Sequence, residues 1–200
     1  MNALLQTYDR IAHDYAKDHE KDTWGYDLLD ELIRSVNNTG TILDVGCGPG
    51  FECAYVVKSG RAVVGIDFSP EMIREATRRY PAISFRVADM TSLDFAPDSF
   101  DAVIARSSLH HVQKSQTPGV LLAIRRVLKK GGMIYVSVKK GSGTSVEKEC
   151  DYGYKYKRFY AYFEEEELAQ LLNDAGFAVE KVNIIHGANS QRLQFLARAI

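Results

Sequence analysis

The sequence predicts a doubly wound α/β domain, and three observations lead there. From residue 41 onward, short apolar runs of strand type alternate with segments of helical periodicity. One run, Ile42-Leu43-Asp44-Val45, passes directly into Gly46-Cys47-Gly48-Pro49-Gly50 and then into a helical segment. Three acids, Asp44, Asp67 and Asp89, stand at or beside the C-terminal ends of strands, the edge where open α/β sheets bind ligands.

Composition narrows the class. A chain of 200 residues is one ordinary domain, able to bury about 70% of its extended surface. Apolar content of 46% with 26% charged residues is globular. No apolar run reaches the roughly 18 residues that span a bilayer, and Met1 to Gln6 lacks a basic leader, so neither a signal peptide nor a membrane anchor is expected. Cys47, Cys53 and Cys150 form no metal spacing and no even disulfide set, so no metal site is expected and a reducing cytoplasm is the default. A net charge of −1 gives no global reason to expect nucleic acid.

Each element follows from local pattern. Leu4, Tyr8, Ile11 and Tyr15 repeat at helical spacing, as do Leu28, Leu29, Leu32, Ile33 and Val36. The charged stretch Lys17 to Trp24 joins these two helices, and Asn37 to Gly40 is a loop. Ile42, Leu43 and Val45 suit a strand covered on both faces. Phe51 to Ser59 suits a helix closed by Gly60. Ala62 to Ile66 is a second strand, ending at Asp67. The next helix starts at Ser69-Pro70-Glu71, with a capping hydroxyl, a proline at the first helical position and an acid in the first turn.

Ile83 to Val87 alternates as a strand and leads into Ala88-Asp89-Met90. Ser99 to Arg106 is the fourth strand, followed by Ser107-Ser108-Leu109-His110-His111-Val112; its tip belongs beside the first, at the switch point. A helix opens at Thr117-Pro118, carries Leu121, Ile124 and Leu128 on one face, and is expected to stop at Lys129-Lys130-Gly131-Gly132. Met133 to Val138 is the fifth strand, which puts Lys139 and Lys140 at the ligand edge and Lys129 and Lys130 at the opposite one. Glu164 to Ala175 is a helix with an acidic first turn. Phe177 to Ile185 and Gln191 to Ile200 are strands joined by His186 to Asn189. Between them and the fifth strand, Thr144 to Phe163 interleaves Tyr152, Tyr154, Tyr156, Tyr160 and Tyr162 with Lys155, Lys157 and Arg158. Such rings beside cations either stack on a planar substrate or form a half-buried ribbon over the sheet edge.

The glycine turn poses the chemical question. A strand-turn-helix unit of this kind is expected to aim free N–H groups and a positive helix end at a ligand. A phosphate-cradling loop needs Lys and Ser/Thr after the last glycine, where Phe51 and Glu52 stand. A dinucleotide turn spaces its glycines G-x-x-G at the end, whereas these fall as G-x-G-x-G. Asp44, two residues ahead, repels a pyrophosphate and attracts an ammonium or sulfonium. Asp67 can receive both hydroxyls of a ribose, since a carboxylate only accepts; capping is its plainer role.

The segment resembles the first motif of the class I S-adenosylmethionine-dependent methyltransferases, an acid followed by G-x-G-x-G, and the likeness continues over roughly residues 40 to 200. It implies a seven-stranded, mostly parallel sheet with its last strand antiparallel. It divides the chain into residues 1–36, an N-terminal helical lid, and residues 37–200, the cofactor-binding unit. The implied cofactor is S-adenosylmethionine, held by Asp44, Gly46, Gly48, Asp67, Phe68, Met72, Asp89, Met90, Arg106, Ser107 and, from a partial Tyr-x-x-x-Ala-x-x-Tyr lid match at Tyr8, Ala12 and Tyr15, by Tyr15. Asp44 is expected near the cofactor's amine, and Asp89 and Met90 at the adenine edge. His110 or His111 either takes a proton from the nucleophile or only orders the helix after the strand. Substrate contact is expected from Tyr152, Tyr156, Arg158, Tyr160 and Lys139, or else these are surface and ribbon residues. The run Ser107 to Val112 departs from the Asn/Asp-Pro-Pro-Tyr form of many exocyclic-amine methyltransferases. A small-molecule acceptor with an oxygen or carbon nucleophile is therefore expected first and a tRNA wobble base second. An NAD-dependent oxidoreductase or a non-catalytic cofactor-binding partner stands as the alternative class.

Overall fold

In the computed structural model, residues 2–22, 25–187 and 190–200 are described; Trp24, and Ala188 and Asn189 of the last hairpin, lie outside the described residues. The elements run α1 (Asn2–Asp18), α2 (Tyr26–Ser35), β1 (Thr41–Val45), α3 (Phe51–Lys58), β2 (Ala62–Asp67), α4 (Pro70–Arg79), β3 (Ser84–Val87) and β4 (Phe100–Arg106). They continue with α5 (Thr117–Val127), β5 (Leu128–Lys139), β6 (Thr144–Glu149), β7 (Tyr156–Ala161), α6 (Glu165–Asp174), β8 (Phe177–His186) and β9 (Gln191–Ala199), with a short 3-10 turn at Leu109–His111 between β4 and α5.

Seven strands form one sheet in the order β3-β2-β1-β4-β5-β9-β8. The pairs from β3 to β5 are parallel, and β9 runs antiparallel to both β5 and β8, as expected. The order reverses between β1 and β4, so their C-terminal tips lie side by side and open a crevice above them. Alternation along the strands divides the core. Leu43, Val45, Val103 and Val136 pack with α5 and α6 on one face, while Ile42, Ile104 and Tyr135 pack with α2 and α3 on the other. Asp44 shares the second face. No helix of the described residues is long and apolar enough to cross a membrane.

One boundary differs from expectation. Helix α5 ends at Val127, and Lys129-Lys130-Gly131-Gly132 belongs to β5, not to a helix cap. The register jumps from Phe100 paired with Leu128 to Ala102 paired with Met133, so this stretch is a bulge. Arg125 and Arg126 supply the basic last turn, and Lys129 Nζ instead meets both oxygens of Asp101 at 2.9 Å. The Tyr-rich segment is a two-stranded antiparallel ribbon, β6 and β7, separate from the main sheet.

Helix α1 lies across the carboxyl edge, seated on α4 and on the ribbon. Asp9 Oδ1 accepts from Ser69 Oγ at 2.6 Å, while Ser69 in turn caps α4 by accepting from Met72 N at 3.1 Å. On the other side, Thr7 Oγ1 donates to the Lys157 carbonyl at 2.8 Å and Tyr154 Oη donates to Asp14 at 2.9 Å. Two tyrosines expected at the substrate are spent here. Tyr152 and Tyr156 stack with centroids 5.6 Å apart, and Tyr156 is buried among Tyr8, Ile11, Ala12 and Met72.

Candidate functional site

Above the crevice is a cavity of about 570 Å³, walled by the strand tips, by α1 and by the ribbon. This is the size range of sites for small molecules and cofactors. The floor is the glycine turn. Gly46 has φ 76°, and a Cβ there would lie 2.3 Å from Ser108 Cβ, so only glycine lets the tip of β4 approach. Gly48 has φ 50° with open space where a side chain would stand, and it borders the cavity. The turn does not offer the expected free donors. The N–H groups of Gly46 and Cys47 both go to the Ile66 carbonyl, that of Gly50 to Cys47, and that of Gly48 to Asp67 at 2.9 Å. A turn whose amides are donated internally is poorly suited to a diphosphate.

Asp67 lies on the wall at the tip of β2, only 6% exposed. Its carboxylate accepts from Gly48 N and from Ser69 N, both at 2.9 Å, so it ties the turn to the cap of α4. Burial pushes its carboxyl up to about 6, against the pull of these backbone donors. Phe68, Met72 and Met90 add apolar wall beside it. Asp89 also faces the cavity while capping its own turn, Oδ1 receiving Thr91 N and Thr91 Oγ1 at 2.8 Å. An acceptor-only carboxylate, apolar side chains and a second carboxylate in this order fit a nucleoside.

Asp44 is the exception among the predicted cofactor residues. It is 1% exposed, lies beneath the turn and forms no part of the cavity wall. Cys53 Sγ donates to its Oδ2 at 3.3 Å; burial and the nearby Glu52 carboxylate hold its carboxyl well above the usual range. The carboxylate that does reach the wall on this side is Glu52, from the first turn of α3. Glu52 Oε1 accepts from Arg106 at 2.7 Å and from Tyr26 Oη at 3.3 Å. Arg106 is on the wall as expected. Ser107, next to it, has φ 54°, and its Oγ accepts from Arg192 of β9 at 3.2 Å. Sequence reasoning passed over Glu52 and Arg192. Glu52 was legible as an acid just past the glycines, whereas no local pattern marks Arg192.

The roof is aromatic. Tyr15 borders the cavity and stacks on His19 with centroids 3.9 Å apart. Tyr8, from two turns earlier, reaches across to His111, its Oη 2.6 Å from Nε2. The Phe159 carbonyl lies 2.8 Å from His111 Nδ1; a carbonyl only accepts, so Nδ1 carries the proton and Nε2 accepts from Tyr8. His110 Nδ1 likewise accepts the Lys139 backbone N–H at 3.2 Å. Burial lowers both imidazoles, His111 to about 3 and His110 well below its ordinary value, so both are neutral near pH 7.

The wall on the side of β5 and the ribbon carries paired charges. Lys139 Nζ sits 2.9 Å from both oxygens of Glu147 and 3.5 Å from the centre of the Tyr160 ring. Arg158 Nε donates to Glu149 at 2.7 Å, and Tyr160 Oη donates to the same carboxylate at 3.3 Å. Lys139, Arg158 and Tyr160 thus reach the cavity as expected, whereas Tyr152 and Tyr156 pack with α1.

Comparisons with known proteins agree with this geometry. A methyltransferase-domain family profile matches residues 42–132. Phosphoethanolamine N-methyltransferase 1 of Arabidopsis thaliana is 33% identical over 162 residues, covering 78% of this chain and 32% of that protein. Demethylmenaquinone methyltransferase of Renibacterium salmoninarum is 38% identical over 96 residues, 48% of this chain and 40% of its own. The chain thus spans about a third of the length of the first relative and less than half of the second. Among solved structures, 1,6-didemethyltoxoflavin-N1-methyltransferase of Burkholderia thailandensis, with S-adenosylhomocysteine bound, superposes with a TM-score of 0.78 at 23% identity, over 99% of this chain and 88% of its own. A methyltransferase of Methanosarcina mazei gives 0.77 at 22% identity, covering 88% of this chain and 98% of its own. Residues 42–132 thus match a methyltransferase domain, and the chain shares its sheet order and fold with S-adenosylmethionine-dependent methyltransferases of known structure.

Proposed function

We propose that the chain transfers a methyl group from S-adenosylmethionine to a small acceptor bearing both an anionic group and an amine. The observation that carries this is the make-up of the wall facing the nucleoside side. Lys139 and Arg158 each stand against a glutamate on the wall of one cavity, so cationic and anionic groups meet the same small volume. A zwitterion is the complementary ligand: Lys139, Arg158 and the Tyr160 hydroxyl suit its anion, and Glu147, Glu149 and Asp151, all on the wall, suit its ammonium, which gives up a proton to one of these carboxylates or to water before the nitrogen attacks. From the sequence an oxygen or carbon nucleophile is expected; these acids, and the name of the phosphoethanolamine relatives, favour nitrogen.

S-adenosylmethionine supplies a methyl group already activated on a sulfonium. What remains for the protein is to hold, align and dry. Asp67 receives ribose hydroxyls, Asp89 and the Met90 N–H meet the adenine edge, and Phe68 and Met72 pack against the nucleoside. Tyr8 and Tyr15 close the roof and exclude water. Alignment of this sort can contribute roughly 7–11 kcal/mol. Charge leaves sulfur as the methyl moves, so carboxylates serve best away from it, and Asp44, sealed beneath the turn, meets that condition. His111, with its proton fixed toward Phe159, positions the Tyr8 hydroxyl over the cavity and stores no proton at neutral pH.

A labelled-methyl assay tests the reading, offering phosphoethanolamine, other small phosphorylated or carboxylated amines, uncharged phenols and bulk tRNA. Label is expected on a small anionic amine. Transfer to tRNA alone, or to phenols but not to amines, would contradict it.

A further inference from the structure

The three carboxylates that suit the acceptor's ammonium are not equivalent. Glu147 receives the Lys139 ammonium at 2.9 Å on both oxygens, and the Tyr162 hydroxyl as well. Burial pushes its carboxyl up, but these donors outweigh burial and hold it below the usual range. Glu149 takes Nε of Arg158 at 2.7 Å, the neighbouring Nη2 and the Tyr160 hydroxyl. Carboxylates paired in this way are neutralised by their partners and take up a proton poorly. Asp151, in the turn between β6 and β7, has no cation paired with it among the described residues. Its Oδ2 accepts the Tyr156 hydroxyl at 2.8 Å; burial and this bond push that hydroxyl up, so the phenol keeps its proton. Asp151 borders the cavity and is itself exposed to solvent. The charged and titratable groups that bear on its turn are Glu149, Tyr152, Tyr156 and Arg158 of the ribbon and Tyr15 and Asp18 of α1. The two histidines do not compete, because burial makes both poor proton acceptors.

We propose that Asp151 is the base of the reaction, taking the proton that the acceptor's ammonium must lose before its nitrogen can attack. This rests on the small-amine reading above and names the group that makes the amine a nucleophile. One N–H bond of the ammonium breaks, its electron pair stays on nitrogen, and the proton goes to an Asp151 oxygen. The freed pair then forms the bond to the methyl carbon while the carbon–sulfur bond breaks and its pair returns to sulfur. The sulfonium leaves as a thioether, and the positive charge passes to the methylated nitrogen. Because Asp151 is exposed, its proton passes on to water and the carboxylate is restored for the next turnover. Lys139 and Arg158, each balanced by its own glutamate, remain to hold the anion.

The test is the labelled-methyl assay with phosphoethanolamine and S-adenosylmethionine, run from about pH 7 to about pH 9. In the wild type the proton moves within the complex, so kcat is expected to be flat over this range. Asp151→Asn should lower kcat at about pH 7 by about a hundredfold, the lower end of what a positioned base contributes. That loss should shrink by about tenfold per pH unit, because the variant must release the proton to water. Its affinity for S-adenosylhomocysteine by calorimetry should stay within about twofold of the wild type. Should Asp151→Asn fail to fold, Asp151→Ala decides: added formate should restore its activity, and chloride at equal concentration should not. A kcat that the variant keeps, a loss equal at every pH, a loss that formate leaves untouched, or a parallel loss of cofactor overturns the assignment. A wild type that methylates phenols or tRNA but no amine overturns the proposed function first, and this assignment with it.

Discussion

The two walls of the cavity are made differently. On the side proposed for the nucleoside, the polar residues spring from strand tips and the turns after them and are tied to backbone N–H groups, with Met72 of α4 adding apolar wall. Asp67 holds Gly48 and Ser69, and Asp89 holds Thr91. On the side of β5 and the ribbon, the charged residues are tied to other side chains, Arg158 to Glu149 and Lys139 to Glu147 within one segment of chain, and α1 reaches over from far off in sequence through Tyr8 to His111 and Thr7 to the Lys157 carbonyl. The first wall is built on the carboxyl edge of the sheet, whereas the second is built from β5 and from the ribbon, which is hydrogen-bonded to α1. A common donor on one side and a variable acceptor on the other would call for this division.

Four substitutions or conditions test the contrast. The largest effect is expected for Asp67→Ala, which removes the ribose acceptor and unties the turn: affinity for S-adenosylhomocysteine should fall about a hundredfold by calorimetry, two charge-assisted hydrogen bonds being lost. Unchanged affinity would remove the ribose assignment. Next, Arg158→Met should raise the acceptor KM by about tenfold or more while cofactor affinity stays within about twofold, because its guanidinium serves only the second wall. A parallel loss of cofactor would merge the two walls into one.

A pH titration comes third. Burial holds Asp67 at about 6 in the free protein. A ligand that needs the ionised carboxylate is bound fully above that value, and its affinity declines as pH falls through it, approaching tenfold per unit below. Asp67→Asn should flatten this profile; a profile unchanged by that substitution would assign the pH dependence elsewhere. His111 acts on stability with its own sign. Its folded value, about 3, lies below the ordinary histidine value. The unfolded chain therefore takes up the proton first, and stability is lost as pH drops from about 6.5 toward 3. The smallest effect belongs to Thr7→Val, which deletes one bond between lid and ribbon. It should cost about 1 kcal/mol in thermal unfolding and raise the acceptor KM by a fewfold; an unchanged KM would mean that docking is not set by this contact.

The same contrast separates what the sequence disclosed from what it did not. The turn, Asp67, Asp89, the Ser69 cap and the strand order are written in neighbouring residues, where glycine spacing, capping and alternation act. Burial depth was not legible there. Asp44 was expected at the ligand, but its position in β1 turns it toward α3 and Cys53, and Glu52, taken only as a reason to exclude a phosphate loop, stands on the wall instead. The five tyrosines of the ribbon gave no clue to which would face inward. Position along the ribbon decides it: Arg158 and Tyr160, farther along β7, border the cavity, while Tyr152 and Tyr154, in the turn before it, and Tyr156, at its start, pack with α1. Lys129 to Gly132 had the composition of a helix cap, and the bulge that absorbs it depends on pairing with Phe100, far off in the chain.

The central claim is that carboxylates on the strand tips, above a turn whose amides are already donated, hold a cationic nucleoside and not a diphosphate. Titrating the wild-type protein with S-adenosylhomocysteine and, separately, with NAD tests it most directly. The account expects saturable binding of the first at micromolar levels and no heat from the second at millimolar levels, about three orders of magnitude or 4 kcal/mol apart. NAD binding of equal strength, or a protein that ignores S-adenosylhomocysteine at millimolar levels, would contradict it.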